Sequence, residues 1–207
     1  TSPMQIAEFE TFVVGNPPPH NGGRYFIFVK LVTDDGLVGY GEVYTATFSP
    51  AVVATMIEDV CERHVVGIDP HHIERMWRRI YSSGYTARPD ISLVSILSGI
   101  ETACWDIIGK EANKPVYKLL GGKVRDKVRV YNGAIRTEMN ATNPEDYADA
   151  VRQMRALPHN FSFIKMGVAF HSPMKDQVED FHYGDNQRPN PFHGFNTSGL
   201  LTERGMN

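Results

Sequence analysis

The chain has 207 residues, 42% of them hydrophobic and 22% charged, with a formal net charge of −3 at neutral pH. That composition belongs to a folded globular chain, long enough for one large domain or two small ones, and excludes a disordered one. The slight acidity argues against a broad attraction to nucleic acid or to an anionic membrane.

The two cysteines, Cys61 and Cys104, stand in no metal-ligand spacing. A disulfide scaffold is therefore not expected, and a reducing cytoplasm is the natural setting. The longest near-apolar stretch, Ile91 to Ile100, is shorter than a membrane span. The opening residues TSPMQIAEFE lack the basic and apolar regions of a signal peptide.

In chain order, Met4 to Val14 reads as a strand, ended by Gly15-Asn16-Pro17-Pro18-Pro19, where three prolines remove three backbone donors. Tyr25 to Thr33 and Leu37 to Tyr44, joined by Asp34-Asp35-Gly36, complete a three-stranded antiparallel meander. Helices follow. Ser49-Pro50 opens one with a stripe of Val53, Met56, Ile57 and Val60, and Asp69-Pro70 opens another with Ile73, Met76, Trp77 and Ile80. Asp90 begins a longer helix with Leu93, Leu97, Ile100, Cys104 and Ile107 on one face; its small residues Ser95, Ser98, Gly99 and Ala103 predict close packing against another element. Residues to about Val124 thus form an α+β domain. Beyond it, Val128 to Ile135 and Phe161 to Val168 read as strands flanking a helix that starts at Asn143-Pro144-Glu145 and stops at Leu157-Pro158. This is a βαβ unit with parallel strands. Ser172 to Asn207 is expected to be mostly irregular, with one short helix at Met174 to Phe181.

The stretch Asp69 to Tyr131, above all SGIETACWDIIGKEANKPVYKLLGG, strongly resembles the enolase superfamily in its mandelate racemase / muconate lactonizing group. It is most similar there to the galactonate-dehydratase-like sugar-acid dehydratases. The resemblance implies an α+β capping domain (a three-stranded antiparallel meander plus helices) over residues 1–124. It implies the first strands of a (β/α) TIM-like barrel over 125–171 and an irregular insertion or loop over 172–207. It further implies a homo-oligomer, a small-molecule carboxylate substrate such as a sugar acid, and a Mg²⁺ ion stabilising the enediolate formed when a base removes the α-proton. A whole barrel takes about 250 residues, and the family's metal ligands come from its third to fifth strands. The 83 residues after Val124 therefore suggest the N-terminal part of a larger enzyme, inactive by itself, with no metal ligand in this chain.

Lys165 is the candidate catalytic residue, because barrel chemistry gathers at strand C-termini and the family places a Lys-x-Lys pair there. In Phe163-Ile164-Lys165-Met166-Gly167, alignment on the glycine makes Lys165 the base, whereas alignment on the isoleucine makes it the other lysine. The plainer alternative is a strand-end lysine reaching solvent. His20, Arg24 and Tyr44 are the candidate substrate-binding residues, in the segments matching the family's capping loops, and Gly22-Gly23 would supply hinge freedom. Exposed turn chemistry is the alternative for all three. Asp180-Phe181-His182 imitates an Asp-x-His of some sugar-acid dehydratases, but it follows a polar run, and no helix fits between it and Phe170. His159, His171, His182 and His193 have no short ligand spacing and read as loop residues, His171 standing nearest an active-site mouth. His71 and His72 read as a solvated face, Arg75, Arg78 and Arg79 as salt-bridged surface, and Glu42 and Trp105 as structural positions.

Three hypotheses remain open. They are a metal-dependent sugar-acid dehydratase, a racemase, epimerase or cycloisomerase on the same scaffold, and a non-catalytic binding module.

Overall fold

The computed structural model describes residues 4–20, 22–45, 48–82, 90–133, 135, 138–168, 172–183 and 201–207. The chain divides into two compact units, Thr1–Asp126 and Lys127–Asn207. The expectations for His171 and His193 fall outside the described residues.

In the first unit, β1 (Ile6–Gly15), β2 (Tyr25–Thr33) and β3 (Val38–Val43) form an antiparallel sheet in the order β1-β2-β3. Alternation along β2 places Ile27, Val29, Leu31 and Thr33 inward, the period-2 pattern of a sheet with one covered face. The cover is helical: α1 (Pro50–Val60), α2 (Ile73–Tyr81) and α3 (Ile91–Glu111), with a short α4 (Val116–Leu119) after them. Val53 and Ile57 of α1, Met76 and Ile80 of α2, and Leu97, Ile100 and Ile107 of α3 join the sheet residues in one core.

α3 lies against β3 because both elements are nearly bare where they meet. A Cβ added to Gly41 would collide with the carbonyl of Gly99, and one added to Gly39 with that of Ala103. Backbones this close let α3 serve the free edge of the sheet. The Tyr40 N–H donates to Asp106 Oδ2 at 3.0 Å, while Lys110 Nζ donates to the Val38 carbonyl at 2.6 Å and to Asp106 at 2.7 Å. Asp106 and Lys110 thus give an exposed sheet edge partners from its own chain. By length and composition α3 could cross a membrane, which the reading of Ile91 to Ile100 alone did not reveal. Its apolar side chains are spent on this core instead. Both tryptophans converge on one carboxylate, Glu101 accepting from Trp77 Nε1 at 2.5 Å and from Trp105 Nε1 at 3.2 Å.

Helix starts depart from expectation in instructive ways. Asp90 caps α3 as expected, its carboxylate accepting from the N–H groups of Ser92 and Leu93. Ser49 occupies the cap position of α1 without a side-chain bond, so Pro50 carries that start. α2 begins only at Ile73. Asp69 instead accepts from the His71 N–H at 2.9 Å and closes a turn ahead of the helix. Burial works to raise the Asp69 carboxyl, but the bonds from the His71 backbone and ring outweigh it and hold the group below the usual aspartate value. His71 is not simply solvated, since Nδ1 lies 2.9 Å from Asp69 and Nε2 lies 2.8 Å from Glu111. α1 runs on into a π-helical turn over Cys61–Val65 that buries Cys61 and Val65. Burial pushes the Cys61 and Cys104 thiols up to about 12, which keeps both protonated and unreactive.

In the second unit the two expected strands contract to one parallel bridge, Asn132 to Ile164. The Asn132 N–H donates to the Phe163 carbonyl and the Lys165 N–H to the Asn132 carbonyl, both at 2.9 Å. A parallel pair needs cover on both faces. Here Val128, Val130, Phe163 and Val168 are all more than half exposed, so little favours a longer ladder. Between the segments runs α5 (Pro144–Ala156), started by a capping box of Asn143 and Asp146. α6 (Met174–Gln177) and α7 (Glu203–Met206) are single turns.

Candidate active site

The sheet register gathers three of the candidate residues of the first unit. Gly15 pairs with Tyr25, and Ile27 with Val43. The loop after β1, which carries His20 and Arg24, and the segment after β3, which carries Tyr44, therefore leave the sheet at one end. The loop is built rather than slack. The Asn16 N–H donates to the Arg24 carbonyl at 2.8 Å, Asn16 Nδ2 donates to the Gly23 carbonyl at 2.6 Å, and the Gly23 N–H donates to the His20 carbonyl at 3.0 Å. Gly22 and Gly23 have φ of 89° and 145°, values open to glycine at no steric cost. Arg24 is exposed, His20 half-buried, and Tyr44 is 74% exposed.

Lys165 belongs to the second unit. It directly follows Ile164 of the parallel bridge, at the downstream end where the chain leaves for α6. Its side chain is exposed, with Nζ 5.5 Å from the centre of the Tyr131 ring. That is cation–π range for an ammonium. Asn132, beside Tyr131, is 2% exposed and closes a turn with its own amide, donating from Nδ2 to the Ile135 carbonyl and accepting the Ile135 N–H on Oδ1. Sequence reading passed over Tyr131 and Asn132. The signal was a polar residue followed by Gly133 at the end of an otherwise apolar strand.

A cleft of about 670 Å³ opens between Glu138 to Asn140, the first turns of α5, and Gln177. Its lining comes from the segment after Asn132, from α5 and from the turn at Pro173 to Gln177. Its wall carries Glu138, Asp146 and Asp149. Hydrogen bonds from the Thr142 backbone and hydroxyl hold the Asp146 carboxyl below the usual aspartate value, so it stays charged. Such a wall repels a carboxylate, and Lys165 is the better partner for an acid. Asp180 has φ of 53°, and His182 pairs antiparallel with Leu201. Among the described residues neither sits on a strand beside Phe161 to Val168.

Among the described residues, no group of three His, Cys, Asp or Glu side chains is placed to hold a metal ion. The described residues therefore do not fit the Mg²⁺ that the family resemblance implies.

Comparison with known proteins gives this geometry its family. Residues 20–121 match the mandelate racemase / muconate lactonizing enzyme N-terminal domain. A D-galactonate dehydratase of Verminephrobacter eiseniae is 35% identical over 150 residues, which is 72% of this chain and 35% of that protein. Among solved structures, a candidate mandelate racemase/muconate lactonizing enzyme from Labrenzia alexandrii is 53% identical with a TM-score of 0.67, over 72% of this chain and 38% of its own. The mandelate racemase/muconate lactonizing enzyme from a Sulfitobacter species is 43% identical with a TM-score of 0.67, over 74% of this chain and 40% of its own. The chain therefore spans well under half the length of the relatives it matches. With its glycine-packed sheet and its long signature helix, the chain belongs to the mandelate racemase / muconate lactonizing group of the enolase superfamily and is galactonate-dehydratase-like within it.

Proposed function

We propose that this chain is part of a sugar-acid dehydratase that begins by removing the proton α to the substrate carboxylate, with Lys165 as the base. The observation that carries the reading is the placement of Lys165. It is an exposed lysine directly after the bridged residue of a parallel pair, in a chain 35% identical to a D-galactonate dehydratase. In the proposed step the neutral Lys165 amine takes the α-proton. The C–H electron pair moves into the carboxylate to give an enediolate. Collapse of the enediolate expels the β-hydroxyl, which takes the proton from the Lys165 ammonium and leaves as water, returning the amine to its neutral form. The face of Tyr131, 5.5 Å from Nζ, restrains the side chain. His20, Arg24 and Tyr44 are the proposed substrate-binding residues of the first unit.

Members of this superfamily generally use Mg²⁺. No step is assigned to it here, because the described residues supply no ligand set.

Lys165→Met in the enzyme that carries this chain tests the reading, with solvent deuterium incorporation at the α-carbon as the readout. Loss of a positioned general base costs about 10²–10⁴ in rate, and exchange should fall by that factor while thermal stability is unchanged. Undiminished exchange would remove Lys165 from the role of base. Racemised substrate in place of a dehydrated product would favour the racemase reading.

A further inference from the structure

His71 stands between two acidic side chains that come from different parts of the first unit. In the turn before α2, Asp69 Oδ1 accepts the His71 N–H at 2.9 Å and lies 2.9 Å from the ring Nδ1. From the last turn of α3, Glu111 brings Oε2 to 2.8 Å from the other ring nitrogen, Nε2.

This arrangement constrains the ring. A neutral imidazole keeps a lone pair on one nitrogen, and an ionised carboxylate has no hydrogen to offer it. A lone pair that close to a carboxylate oxygen is repelled. The charged ring carries a hydrogen on both nitrogens and answers both oxygens. Position adds a second argument. α3 ends at Glu111, where the unpaired carbonyls of a helix favour a cation and disfavour an anion. Glu111 alone puts the wrong sign there, and an imidazolium beside it corrects the balance. The other group facing this cluster is His72 of the same turn, which also pulls on Asp69. Among the described residues, no lysine or arginine pairs with Asp69 or Glu111.

We propose that His71 is a pH-sensitive latch of the capping domain, its charged ring tying the turn before α2 to the end of α3. The latch is closed at mildly acidic pH and opens when the ring loses one hydrogen. Nε2 is the nitrogen that loses it, because Nδ1 faces the oxygen already anchored by the His71 N–H. Opening therefore frees Glu111 and leaves the Asp69 turn closed.

A double-mutant cycle tests the latch. His71→Gln, Glu111→Gln and the double variant are melted at about pH 5.5 and about pH 8.5, on either side of the ordinary imidazole range. Tryptophan emission follows the melts, since Trp77 and Trp105 both lie in this unit. At the lower pH each single variant should lower Tm by about 1–4 °C, the scale of an exposed ion pair. The double variant should lose no more than either single one, and at the higher pH this coupling should vanish. A coupling equal at both pH values, or present only at the higher one, overturns the proposal. In the chain labelled with ¹⁵N-histidine, long-range ¹H–¹⁵N correlation should show both His71 nitrogens protonated at the lower pH and Nε2 bare at the higher. Loss of the Nδ1 hydrogen instead overturns the release of Glu111. Neither measurement requires turnover, so the latch stands or falls apart from the dehydratase reading.

Discussion

The two units spend similar apolar side chains to different effect. In Thr1–Asp126, Leu31, Ile57, Leu97 and Ile100 are wholly buried, because an antiparallel sheet needs cover on one face and three helices of the same unit provide it. In Lys127–Asn207 the described core is small: Ala141, Ala150, Met154 and Phe181. Val128 and Val168 stay exposed, since a parallel pair needs partners on both faces and on both edges. The capping domain therefore closes on itself, while the second unit leaves its bridged segments uncovered.

Truncation should separate the units most sharply. Ile100→Ala removes a side chain at 0% exposure and should cost about 2–5 kcal/mol, read by urea denaturation. Phe163→Ala, on a ring 51% exposed, should stay within about 0.5 kcal/mol. A large loss at Phe163 would break the contrast.

Gly41→Ala comes next. Its methyl group would meet the α3 backbone and not a movable side chain, so a loss of about 1–3 kcal/mol is expected. Gly121→Ala probes a different cost, because space there is open and only φ of 105° resists. A thermal melt of the two variants separates close approach from backbone strain.

The smallest effect is a pH dependence in the second unit. Folding lowers the Asp146 carboxyl through bonds from Thr142 and then Asn143. The folded state therefore binds that proton less readily than the unfolded state does. Its contribution is present in full above roughly pH 4 and is lost as the pH falls through the lowered value. Asp146→Asn should flatten that part of the acid limb, as followed by amide exchange in α5. An unchanged acid limb would show that the capping box does not matter there.

Much of the first unit was legible because its signals are local. The alternation of β2, the cap at Asp90 and the small residues Gly99 and Ala103 each describe their own surroundings. The late start of α2 was not legible: Asp69-Pro70 looks like a helix start, and only the turn to His71 shows otherwise. Neither was the π-helical turn at Cys61–Val65, which continues the apolar pattern of α1 without a break. In the second unit the capping box of α5 could be read directly. The length of the strands could not, because strand length depends on neighbours distant in sequence. The same holds for the candidate site. Lys165 was visible from its place after an apolar run, whereas the contact of His20 Nδ1 with the Asn16 carbonyl depends on how the loop closes.

The carboxylate of Glu101 has a practical consequence. It receives both indole N–H groups, and the chain has only these 2 tryptophans. Intrinsic tryptophan emission therefore comes entirely from the capping domain and is blind to the unit that holds Lys165. A melt followed at that wavelength will report one transition even where the second unit has already come apart, and amide circular dichroism recorded alongside will expose the difference.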